Sequence, residues 1–159
     1  FIVTALFTPF VFGWAKPVPI NPRFFRNYRR DMFFVSFAGP ACNLLLAVIF
    51  GVCLRLFLFF PEHFILNSSV GNFLFQMFLS GISANLVLCW FNLIPIPPLD
   101  GGHILECILP NSLAMRFSHI GKMGFMLIAL LLMLGTFNYV LLPIVQFSHN
   151  IILKLTGIL

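Results

Sequence analysis

The chain has 159 residues, of which 60% are hydrophobic and only 8% charged, with a mean hydropathy of +1.05 and a formal net charge of +5. A soluble domain carries about 25% charged residues, so these charges are too few to cover a water-soluble globule. The composition predicts an all-α, polytopic transmembrane protein embedded in a lipid bilayer, and no basic stripe interleaved with aromatics points to a nucleic-acid partner.

Crossing a hydrocarbon core of about 30 Å takes roughly 20 apolar residues. The opening run, Phe1 to Trp14, is too short for that and contains Pro9. It reads as the tail of a truncated helix or as a re-entrant segment. The chain opens on Phe1 rather than Met, inside this apolar run and without a recognisable signal peptide, so it reads as a piece whose beginning is missing. A basic stretch follows from Ala15 to Asp31, with Lys16, Arg23, Arg26, Arg29 and Arg30 and prolines at 17, 19 and 22. Three full spans are predicted after it, at about residues 33–55, 73–96 and 123–147. All belong to a single membrane-embedded domain over residues 1–159. Pro61–Asn72 joins the first two spans, and Gly101–Lys122, with Arg116 and Lys122, joins the last two. Basic loops mark the cytoplasmic side, and both basic connections fall on one side if the spans run outward, inward and outward. The positive charge is then an orientation signal. The four cysteines, Cys42, Cys53, Cys89 and Cys107, lack C-x-x-C spacing and read as small side chains packed between helices. No internal repeat is evident, which weighs against a transporter.

Chemistry is concentrated at Asp100, the lone charge between Glu62 and Glu106. Ionisable groups at membrane depth are costly, and as a rule they are paired, metal-bound or functional. Pro95, Pro97 and Pro98 cannot continue a regular helix, and Gly101 and Gly102 allow close approach of another group. Irregular backbone at this depth requires burial in protein or a wet cavity, so the segment should face an internal polar site. On composition alone, Asp100 is as well explained as the cap of a helix starting near Gly102. Asn85 and Asn92 lie seven apart and share a helix face, pointing into the protein, where interhelical hydrogen bonds would equally account for them. Ala38-Gly39-Pro40-Ala41-Cys42-Asn43 breaks the first span and reads as a packing kink. His103 lies three residues after Asp100, His63 and His149 read as outer-side residues, and no H-x-x-x-H pair exists. Three zinc ligands cannot be drawn convincingly from these residues.

Asn92, Pro95, Leu99, Asp100, Gly101 and Gly102 together resemble the N-x-x-P-x-x-x-L-D-G-G signature of the site-2 protease family of intramembrane zinc metallopeptidases. The loop from Phe12 to Pro22 followed by Arg29-Arg30-Asp31, and the A-G-P-x-x-N pattern of Ala38 to Asn43, resemble the compact prokaryotic members, in the family's order. The resemblance implies that Asp100 is the third ligand of one Zn2+. The two histidine ligands and the glutamate base, from an H-E-x-x-H helix, would lie upstream of Phe1. It implies that Asn92 sits beside the metal as a catalytic residue, hydrogen-bonding the substrate carbonyl or the oxyanion. It further implies cleavage of transmembrane protein substrates near the cytoplasmic face of a prokaryotic inner (plasma) membrane, with Lys16–Pro22 lining the substrate path. The H-E-x-x-H motif is absent from the sequence, so the 159 residues alone are expected to be inactive. The competing readings are a non-catalytic relative that binds membrane proteins and a cation-coupled transporter fragment.

Overall fold

The structure, a computed structural model, describes residues 25–158, so the expectations for Phe1–Trp14 and for the Phe12–Pro22 loop lie outside the described residues. The described residues form six helices and no strand: α1 (Tyr28–Phe57), α2 (Glu62–Asn67), α3 (Ser69–Asn92), α4 (Asp100–Ile108), α5 (Asn111–Met133) and α6 (Thr136–Leu155). The protein is an all-helical membrane protein. At 1.5 Å per residue, α1 and α3 are about 45 and 36 Å long, enough for a bilayer core of about 30 Å.

Side chains and backbone both set the start of α1. The Asn27 side chain accepts from the Arg30 N–H, while the Asp31 carboxylate accepts from the Arg26 and Asn27 N–H groups at 2.8 and 3.1 Å. These bonds satisfy donors that a helix start otherwise leaves free. Arg29 at this end donates to the Asn111 side chain at the start of α5, at 2.6 Å. The two basic connections therefore meet at one end of the bundle, as the charge pattern predicted.

The core joins three helices: Ala47 and Leu54 from α1, Ile82 and Leu86 from α3, Val145 and Ile152 from α6. The sevenfold spacing in α1 and α6 puts each pair on one face. Between Ala47 and Leu54, a Cβ on Gly51 would lie 2.7 Å from the Ile152 side chain, so α6 can approach only because that position is bare. Away from this seam, large apolar side chains face outward, among them Leu45, Leu56, Phe73 and Val140, each about 60% exposed or more. Such a surface suits lipid and not water.

Two boundaries differ from the sequence expectation. α3 ends at Asn92, four residues before the expected limit, and its last turn closes through the Leu93 N–H on the Cys89 carbonyl and the Ile94 N–H on the Phe91 carbonyl. The prolines beyond cannot donate, so the helix ends before them. The third predicted span is not one helix. It breaks at Gly135, whose φ of 67° is left-handed, and the segments Gly124–Met133 and Asn138–Leu155 meet at 85°. Membrane-crossing length is thus present in two continuous helices and one bent pair. His149, expected outside the last span, lies within α6.

Candidate functional site

The segment between α3 and α4 folds back on itself. Its turns are closed by Ile96 N–H on the Ile94 carbonyl, 2.8 Å, and Leu99 N–H on the Ile96 carbonyl, 3.0 Å, with a cis peptide between Pro97 and Pro98. α4 then starts at Asp100, its first turn pressed onto this loop. A Cβ on Gly101 would run into the Leu93 carbonyl oxygen, and one on Gly102 would lie 2.5 Å from the Pro97 nitrogen. Both glycines are buried. Leu93 adjoins Asn92 and Gly101 adjoins Asp100, so the fold-back brings the end of α3 and the start of α4 together although seven residues separate Asn92 from Asp100.

Asp100 is half-buried in the first turn of α4, where the positive end of the helix favours a carboxylate. The helix-cap alternative fails. The N-cap position belongs to Leu99, and no side-chain capping bond is made there. Instead the carboxylate lies against α1: a Cβ on Gly39 would sit 2.9 Å from its Oδ2. Two motifs 61 positions apart in sequence, Ala38–Asn43 and Leu99–Gly102, therefore meet at this carboxylate. Burial pushes the Asp100 carboxyl above the usual carboxylate range, and the adjacent His103 pulls it partly back.

The other polar candidates occupy different places. Asn92 is half-buried at the last position of α3. Asn85 does not bond across helices, because its side chain donates to the Gly81 carbonyl of its own helix at 2.8 Å. An interhelical bond with no signal in the sequence runs from Trp90 Nε1 to Ser148 Oγ at 3.0 Å, tying α3 to α6. His103 pairs loosely with Glu106 at 3.9 Å. With Tyr28, Arg29 and Asn111, both line a groove of about 520 Å³ at the basic end of the bundle. None of the four cysteines is in a disulfide.

The polar surroundings expected for the proline loop are only partly found. Its outer side borders an apolar cavity of about 480 Å³ lined by Trp90, Leu93, Ile94, Pro95 and Ile144, while the polar groove lies along α4 beyond Asp100. Among the described residues, no three His, Cys, Asp or Glu side chains come together as a metal-binding group. A closed protein zinc site takes four ligands and a catalytic one three, so the described residues alone do not make a zinc site. They offer one carboxylate of the right chemistry.

Comparison with known proteins agrees with this layout. Residues 64–136, which contain both Asn92 and Asp100, match the family described as Peptidase family M50. A Bacillus subtilis (strain 168) protein named "Putative zinc metalloprotease YwhC" is 39% identical over 144 residues, covering 91% of this chain and 65% of the relative. A Methanocaldococcus jannaschii protein named "Putative zinc metalloprotease MJ0611" is 32% identical over 72 residues, 45% of this chain and 32% of the relative. The chain thus spans less than two thirds of the length of either relative. No solved structure matches it significantly. The loop and helix start that carry Asn92 and Asp100, the all-helical fold and these relatives point one way: the chain is similar to proteins of peptidase family M50, the site-2 protease family.

Proposed function

We propose that this chain is the part of an intramembrane zinc metallopeptidase that supplies one metal ligand, Asp100, and one catalytic side chain, Asn92. The observation that carries the reading is the placement of Asp100: a half-buried carboxylate at a helix start, not used as a cap and pressed against Gly39 of α1. A structural aspartate in an apolar segment would be expected to spend its lone pairs on backbone N–H groups. Among the described residues this one accepts no such bond, which leaves it available to a cation. The remaining ligands and the general base must come from outside these 159 residues, since no H-E-x-x-H occurs in them. Bound zinc would supply Lewis acidity toward the scissile carbonyl and lower the pKa of a water.

The chain's own contribution is positional. The loop from Leu93 to Leu99 holds the end of α3 against the start of α4, which supports a shared site for Asn92 and Asp100. From there the Asn92 amide donates to the carbonyl oxygen of a bound peptide, and more strongly once that oxygen gains charge. The apolar cavity beside Pro95 suits the side chains of a membrane-spanning segment, so transmembrane proteins are the proposed substrate class and the prokaryotic plasma membrane the proposed location. The basic end of the bundle is the cytoplasmic one on this reading, which puts the cut near that face.

The test uses the full-length gene product in detergent or liposomes. Asn92→Ala is expected to lower turnover by about 10²–10³, the range for loss of one oxyanion donor, with zinc content unchanged. Parallel loss of zinc and turnover in that variant would instead make Asn92 a structural residue.

A further inference from the structure

We propose that Gly39 is a positioning residue for the Asp100 carboxylate. This deepens the reading above and rests on it. Glycine inside a helix is disfavoured relative to alanine, so each helical glycine calls for a reason. Gly71, Gly101, Gly102 and Gly124 lie against main chain, and two others lie against side chains. A Cβ on Gly51 would meet the Ile152 and Thr156 side chains, and one on Gly81 would meet the Phe50 ring at 2.7 Å. Gly39 differs in what it meets. The nearest atom to such a Cβ is Oδ2 of Asp100 at 2.9 Å and the next is Cγ of the same residue at 3.9 Å; among the described residues, nothing else outside its own helix turn lies within 4 Å.

That geometry separates two roles that are usually mixed. The main chain of α4 comes no closer than 4 Å to a Cβ at that position. A methyl group at position 39 therefore leaves α1 and α4 where they are. It acts on one flexible group, the carboxylate, which must turn away from α1. The bare backbone at Gly39 thus forms the floor on which Asp100 rests, and it selects the rotamer the carboxylate presents to a cation. Gly101 and Gly102 place the backbone of Asp100, while Gly39 places its oxygens.

The experiment measures zinc retention against a chelator series and thermal unfolding of the metal-free form, in the full-length protein and three variants. Gly39→Ala is expected to weaken zinc retention about 10–100-fold, the usual cost of disturbing what orients a ligand, with the metal-free unfolding midpoint equal to the wild type's or above it, since alanine favours the helix. Gly81→Ala, which adds the same methyl group against the Phe50 ring, is expected to retain zinc as the wild type does. Asp100→Ala reports on the underlying reading: if it keeps zinc, that reading and this inference both fail. If Asp100→Ala loses zinc while Gly39→Ala holds it as tightly as the wild type, the ligand assignment stands and the positioning role is overturned. A fall in the metal-free midpoint of Gly39→Ala matching its zinc loss also overturns it, because the glycine would then serve packing.

Discussion

Asp100→Ala in the full-length protein is expected to lose zinc and peptide cleavage together. Changes to groups that merely orient a ligand cost about 10–100-fold in metal affinity, so removal of a ligand should exceed about 100-fold, and cleavage should fall to background. Packing around Asp100 offers no folding explanation for such a loss. The carboxylate is only half-buried, forms no capping bond, and abuts a glycine, so its removal opens little space and orphans no donor. Asp100→Asn sharpens the test by keeping the shape that rests on Gly39 while removing the charge. It should retain the wild-type unfolding midpoint and still lose zinc. Wild-type zinc and cleavage in both variants would remove Asp100 from the metal site altogether.

Gly101→Ala is expected to damage the site through the backbone. The added Cβ would collide with the Leu93 carbonyl oxygen and lie 2.5 Å from that of Ile94. Both obstacles are main chain, in a loop fixed by its own turns and by three prolines, so neither can swing aside. Overpacking of this kind costs about 1–3 kcal/mol, occasionally more. The first turn of α4 must lift off the loop, carrying Asp100 with it. Gly101→Ala should therefore lower the unfolding midpoint and weaken zinc binding at once, whereas no fall in the midpoint is expected for Gly39→Ala. A wild-type midpoint for Gly101→Ala would mean that the loop yields more readily than its contacts imply.

Much of this arrangement was legible in the sequence because membrane residence is a matter of composition. The two continuous spans follow from uncharged runs long enough for a bilayer, and the basic loops correctly anticipated that Arg29 and Asn111 share one end of the bundle. Asp100 stood out for the same reason, as a charge with no polar sequence around it. Hydropathy is blind to what happens inside an apolar run. The break at Gly135 is set by a single left-handed residue between two equally apolar halves. The early end of α3 is set by missing donors rather than by polarity. Asn85 bonds to its own helix because a carbonyl four residues back is always within reach, whatever lies across the interface. Least legible was the meeting of Gly39 with Asp100. Both motifs were recognised as departures from regular helix, but only the fold shows that one is the surface on which the other rests.

The claim at the centre of this account is that Asp100 ligates zinc, and replacing the ligand atom tests it more directly than removing it. X-ray absorption at the zinc edge on the full-length Asp100→Cys variant should reveal a sulfur scatterer at about 2.3 Å. That shell should be absent from the wild type, because Cys42, Cys53, Cys89 and Cys107 form no part of the proposed site. Zinc retained by the variant with an unchanged, sulfur-free shell would show that position 100 does not touch the metal.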